Sequence, residues 1–125
     1  MRFILTMKAD NRDPGAMDPK LLAAIGQFSE EMTKSGVVIA TGGLAPRITR
    51  VKASAGKLST VDGPFPETKE MIAGWALIQA SSKEEALEHA RRFMKLHQDI
   101  LGASWEAESE IQHLFGPEDF AAMPR

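Results

Sequence analysis

Between Val61 and Met71 the chain reads Asp62-Gly63-Pro64-Phe65-Pro66-Glu67-Thr68-Lys69-Glu70. The stretch holds acid–base groups on a stiff backbone. Gly63 permits dihedrals closed to other residues, while Pro64 and Pro66 fix their own and bias the preceding residue toward extended geometry. Phe65, between two prolines, is placed as an anchor into apolar surface. Asp62 can accept hydrogen bonds from nearby backbone amides. Together with Lys69 or Glu70 it would serve general acid–base work if the loop edges a cavity, Lys69 tuning a neighbouring carboxylate. The plainer reading is a turn between two strands carrying a surface ion pair worth about 0–1 kcal/mol. The residues alone leave both open.

The other titratable candidates are the three histidines. His97 shares a helical face with Ala90, Phe93 and Ile100, which turns it partly inward, where burial can shift its ionisation. A hydrogen-bonded core histidine is the plainer alternative. His89 sits beside Glu85 and Arg92 on a mixed face and is expected to be solvated. His113 falls in register with Trp105, Ala107 and Ile111 near a strand end, which suits packing or capping. None of the three has the spacing of a metal-ligand set, so no metal is expected. Gly42-Gly43 lacks the pattern of a phosphate loop and there is no nucleophilic serine motif, so no cofactor is expected either.

Periodicity supplies the elements that must position these groups. Met1 to Ala9 alternates with period two, as a strand does. Asp18 before Pro19 is a carboxylate cap ahead of proline at the first helical position, and Leu21, Ile25, Phe28 and Met32 then recur at helical spacing up to Gly36. Val37 to Thr41 reads as a strand, with Gly42-Gly43 as its end or a bulge. Ile48–Ala53 and Lys57–Val61 form a hairpin around Ser54-Ala55-Gly56. Met71 to Gln79 is a further strand. Ser81 and Ser82 each precede a glutamate by three residues, a doubled capping-box signature. The helix they open carries Ala86, Ala90, Phe93, His97 and Ile100 on one stripe and closes at Gly102. Trp105 to His113 alternates again, and Pro117 to Arg125 is a tail with one short helical turn. This order predicts one α+β domain: a ferredoxin-like βαββαβ antiparallel sheet, two helices on one face, and an extra β-hairpin.

Met71–Gln79 and Val37–Thr41 are apolar on both sides, which a strand with one wet face would not be. Two helices cover one face; a second copy of the chain, packed sheet to sheet as a homodimer, would cover the other. The chain has 125 residues, 17 acidic against 15 basic, and no cysteine. That excludes disulfides and thiolate chemistry, and it suits a cytoplasmic setting. No apolar run approaches a membrane span. Arg47, Arg50, Lys52 and Lys57 make the hairpin basic, whereas Glu106, Glu108 and Glu110 line one face of the last strand. The hairpin lacks interleaved aromatics and the chain lacks net positive charge, so nucleic acid is not an expected partner.

The Asp62-Gly63-Pro64-Phe65 block with Glu67, Thr68, Lys69 and Glu70 resembles the signature of the DGPF-domain group within the YCII-related family. The Met1-Arg2-Phe3 strand, Gly36-Val37-Val38, Gly43-Leu44 before Pro46, Gly74, Glu108, Glu110, Ile111 and Glu118-Asp119-Phe120 fit the same pattern. The resemblance implies a dimeric α+β barrel, formed by two ferredoxin-like sheets. It also implies a histidine–aspartate pair with the histidine on the first helix. Here Ile25-Gly26-Gln27-Phe28 stand there and that helix holds no histidine, so the pair is not carried over.

Two functions follow as expectations. One is a small-molecule site at the dimer cleft, catalytic or simply binding, edged by Asp62, Lys69 and Glu70 with His97 behind it. The alternative is a non-catalytic accessory or regulatory protein, because DGPF-type proteins are often encoded beside extracytoplasmic-function sigma factors.

Overall fold

The computed structural model describes residues 1–8, 18–45, 47–63 and 72–123. In chain order the elements are β1 (Arg2–Lys8), α1 (Pro19–Lys34), β2 (Val38–Gly43), β3 (Thr49–Ser54), β4 (Lys57–Asp62), β5 (Ile72–Gln79), α2 (Lys83–Leu101), β6 (Glu108–His113) and α3 (Pro117–Ala122). Four strands make the main sheet in the order β2-β5-β1-β6, with every pairing antiparallel. Taken with α1 and α2, this is the ferredoxin-like arrangement that the order of elements predicts. β3 and β4 form a separate two-stranded sheet.

Local chemistry sets the helix ends. Asp18 Oδ1 accepts the Lys20 backbone N–H at 2.7 Å, and Pro19 begins α1. Proline there loses only an N–H that no helical turn would have used. Gly36, at φ 82°, turns the chain out of α1 into β2. At the start of α2 the Ser82 hydroxyl accepts the Glu85 N–H at 3.1 Å. The Glu85 carboxylate reaches back to Ser81 rather than to Ser82, taking its backbone N–H at 2.8 Å and also its hydroxyl. In the hairpin, Ala55 (φ 53°) and Gly56 (φ 74°) are both left-handed. A two-residue turn of that hand matches the twist of the flanking strands.

Directly opposed residues of an antiparallel pair point to the same face. Phe3, Ile78 and Val38 therefore face one way together with Ile111 and His113. This is the helix side. Phe3, Ile78, Ala80 and Ala86 are buried there, with Leu5, Val37, Val38, Ala76 and Ile111 packed around them. The opposite face carries Ile4 and Thr6 of β1 and Trp75 and Leu77 of β5, all half-buried. An added Cβ on Gly42 would stand 3.1 Å from the Trp75 indole nitrogen, so the indole lies across that glycine. β5 is apolar on both sides, as its sequence indicates.

Three boundaries differ from the sequence reading. β6 begins at Glu108, not Trp105, and Glu106 lies before the strand. The cause is Trp105: its N–H bonds Gly102 O at 3.2 Å in a turn and its indole stacks on His97. β2 runs on through Gly43, and its irregularity falls between Val38 and Ala40 rather than at the glycine pair. The hairpin strands each extend one residue further, to Ser54 and Asp62. All the residues of both strands are exposed, with Val51 at 69% and Leu58 at 78%.

Candidate functional site: a helix–sheet cavity around His97

Beyond the packed cluster, the helix side of the sheet changes character. The register puts Met7, Thr41, Gly43, Gly74, Ala76 and Ser109 on that face. Two glycines paired side by side, with alanine, serine and threonine around them, cannot fill the layer beneath α1 and α2. What results is a cavity of about 560 Å³. Leu21, Ile25, Phe28 and Met32 of α1 line one side; Ala90, Phe93, His97 and Leu101 of α2 line another, with Trp105 at the end. The spacing that makes each helix amphipathic is what brings these side chains to the sheet.

His97 is the most constrained polar group in this cavity, at 3% exposure. Its Nδ1 lies 2.8 Å from Phe93 O, the carbonyl one turn earlier. A carbonyl only accepts, so Nδ1 carries the proton and donates, which leaves Nε2 with its lone pair. No protein group among the described residues engages Nε2. Trp105 stacks on the ring at 5.1 Å between centroids and 16° between planes, and Phe93 meets it edge-on at 4.6 Å. Burial pushes the His97 imidazole below its ordinary pKa, and the bond to Phe93 O opposes this more weakly. The ring is therefore neutral at neutral pH. It is a fixed hydrogen-bond acceptor, and a base for a weakly acidic proton brought to Nε2.

The remaining lining is poor in charge. Among the described lining residues Asp18 is the one carboxylate, and there is no lysine or arginine. Asp18 is already engaged at the start of α1. Thr41 donates its hydroxyl to Trp75 O at 2.8 Å. A cavity of this kind favours uncharged molecules, because it offers no countercharge for an ion leaving water.

Of the four candidate residues, Asp62 and His97 are described, and of these two only His97 lines the cavity. Asp62 ends β4 at the foot of the hairpin, where Oδ1 accepts the Thr49 hydroxyl at 2.6 Å, and it does not line the cavity. Gly63 N–H bonds Ile48 O at 2.6 Å and closes the same foot. Lys69 and Glu70, with the Pro64–Thr68 stretch, lie outside the described residues. His113 packs as expected, stacked on Phe3 at 5.2 Å and tilted on Phe115 at 4.7 Å. His89 is a correction: the sequence places it in solvent, yet both ring nitrogens are buried. The reason is tertiary. α1 packs against α2 here, the Arg92 guanidinium lying 5.2 Å over the Phe28 ring and reaching Met32 Sδ at 4.0 Å, and His89 lines the cavity with Leu21, Ile25 and Phe28 of α1. Among the described residues no cluster of three or more histidine, aspartate or glutamate side chains could hold a metal ion, and no helix is long and apolar enough to cross a membrane.

Strand order, the placement of both helices and the cavity between the layers define a ferredoxin-like α+β domain with an internal site. Residues 1–99 match the family model of the YCII-related domain, and the chain belongs to that family. An uncharacterized protein of Rhizobium meliloti (strain 1021) is 32% identical over 76 residues, which is 59% of this chain and 61% of that protein. The match thus spans about three-fifths of that relative's length. Among solved structures, 5-chloro-2-hydroxyhydroquinone dehydrochlorinase (TftG) from Burkholderia phenoliruptrix AC1100, in complex with 2,5-dihydroxybenzoquinone, is similar. It has a TM-score of 0.43 and 13% identity, covering 94% of this chain and 97% of that one. A putative monooxygenase from Shewanella loihica PV-4 has a TM-score of 0.33 and 13% identity, covering 92% and 95%.

Proposed function

We propose that this protein binds a small, uncharged, largely apolar molecule in the helix–sheet cavity and holds it through His97 Nε2. For a ligand with a weakly acidic proton, Nε2 is also the base that takes it. One observation carries this reading: a buried imidazole whose Nδ1 is fixed on Phe93 O keeps Nε2 without a protein partner, inside an apolar space of about 560 Å³. The test is a calorimetric titration with para-hydroxybiphenyl, an uncharged probe with one donor. Wild type binds it, and His97→Leu weakens binding about tenfold, the worth of one hydrogen bond in a dry site. A wild-type protein that takes up none of the probe contradicts the proposal.

The finer expectations belong to the same reading. Membership of the DGPF group rests on Asp62 to Phe65 and the charged residues after them. A homodimer through the open sheet face would cover Ile4, Leu77 and Trp75. The hairpin supports this, since an isolated two-stranded hairpin is marginal in water and this one exposes Val51 and Leu58. By register, Arg50, Lys52 and Lys57 share the hairpin's other face. Light scattering on wild type should give twice the chain mass, and a Val51→Lys, Leu58→Lys double variant a smaller dimer fraction. A monomer mass for wild type contradicts the dimer. An acid–base role for Asp62, Lys69 and Glu70 is a separate proposal that the cavity does not require.

A further inference from the structure

We propose that Trp105 determines which ligands fit beside His97: its indole is the wall that rejects bulky groups flanking the ligand's hydroxyl. The inference rests on the cavity reading above and adds to it a specificity-determining residue. On the far side of Trp105 lies a second space, a groove of about 620 Å³ between α2 and β6, with Leu87, Met94 and Ile111 in its lining. Among the described residues, Ala90, Trp105 and Ser109 line both the groove and the cavity. The side chains of Ala90 and Ser109 are too short to divide two spaces of this size. The indole is what separates them.

Local structure keeps the indole in that place. α2 ends at Leu101, Gly102 turns the chain with φ 87°, and β6 does not begin until Glu108. Trp105 stands in this connection, its N–H on Gly102 O at 3.2 Å and its indole stacked on the His97 ring at 5.1 Å between centroids and 16° between planes. An indole is larger than an imidazole, so it overhangs the ring it covers. A ligand hydroxyl on Nε2 lies near the plane of the imidazole. Groups on both sides of that hydroxyl are then brought against the indole, whereas a group at the far end of the ligand is not. The preferred ligand is a hydroxy compound left open on at least one side of its oxygen.

The experiment titrates para-hydroxybiphenyl and its analogue bearing an isopropyl group on each side of the hydroxyl. The readout is the ratio of the two affinities, which a general loosening of the site does not move. Wild type should bind the parent compound more than about tenfold tighter than the flanked analogue. Trp105→Ala should shrink that ratio about tenfold, because one isopropyl group then enters the apolar groove. Trp105→Phe, which keeps a ring against His97, should retain most of the ratio, and adding Ser109→Leu to Trp105→Ala should restore it by refilling the gap. Trp105→Leu replaces the alanine variant if that fails to fold. Equal affinity of the two compounds for wild type, or a ratio unchanged in Trp105→Ala, overturns the role of Trp105 and leaves the His97 cavity standing. If neither compound binds wild type, the cavity reading fails first.

Discussion

One helix–sheet layer of this protein has two ends built in opposite ways. Around Phe3, Ile78 and Ala86 the side chains close on one another and leave the core buried. Toward Gly43, Gly74 and Ser109 the same layer has a floor of small residues and a cavity above it. The helices do not differ much between the ends; the strands do. Stability and the proposed binding are thereby segregated along the sheet. Substitutions at the packed end should cost folding energy, and substitutions at the wide end should change what the molecule holds.

The largest contrast is between Phe3 and Met7. Phe3→Ala should lose about 3–5 kcal/mol of unfolding free energy in urea, since Phe3 is buried among packed neighbours and does not line the cavity. Met7 already borders open space, so Met7→Ala should lose only about 1 kcal/mol. Equal losses would erase the distinction between the ends. Next in size is Gly74→Val. An added Cβ there meets nothing closer than Gly42 O at 3.7 Å, and valine suits a strand. The variant should keep or raise the melting temperature while para-hydroxybiphenyl affinity falls more than tenfold; unchanged affinity would place the ligand elsewhere.

Acid should sharpen the comparison further. The folded state lowers the pKa of His97 by burial, so the unfolded chain takes up that proton first. Its contribution is complete above the unfolded value of about 6.5 and is lost as pH falls from there through the lowered folded value. The melting temperature of His97→Gln should therefore decline less than that of wild type over this interval. Parallel declines would mean that His97 is not titrating as a buried base. The smallest effect is expected at Asp62→Asn, which weakens one exposed bond to Thr49. Stability should change by less than about 0.5 kcal/mol, with probe affinity unchanged; a tenfold loss of affinity would move the site toward the hairpin.

Much of this fold is readable from local signals. The Asp18-Pro19 cap, the stripe from Leu21 to Met32 and the Ser82 cap before Glu85 each act within a few residues. So does the two-residue hairpin turn at Ala55-Gly56. His97 is legible as inward-facing for the same reason: it continues the stripe of Ala90 and Phe93. The cavity is not legible, because it depends on Gly43 and Gly74 lying opposite each other, which strand register fixes only once the sheet exists. The burial of His89 depends on another helix, α1, packing against α2, and a helical wheel of α2 alone places it beside charges. The Asp62 segment illustrates a third case. Its residues carry the resemblance to the family, yet its described part, Asp62 and Gly63, braces the hairpin foot and does not line the cavity.

The central claim, that His97 presents an unprotonated Nε2 to a ligand in the wide end, is open to direct observation. Long-range proton–nitrogen correlation spectra of the imidazole, recorded at neutral pH with and without para-hydroxybiphenyl, report both ring nitrogens. The account predicts a protonated Nδ1 throughout and a lone-pair-bearing Nε2 whose resonance moves upfield when the probe's hydroxyl bonds to it. A proton already on Nε2 in the free protein, or an Nε2 resonance unmoved at saturating probe, would contradict it.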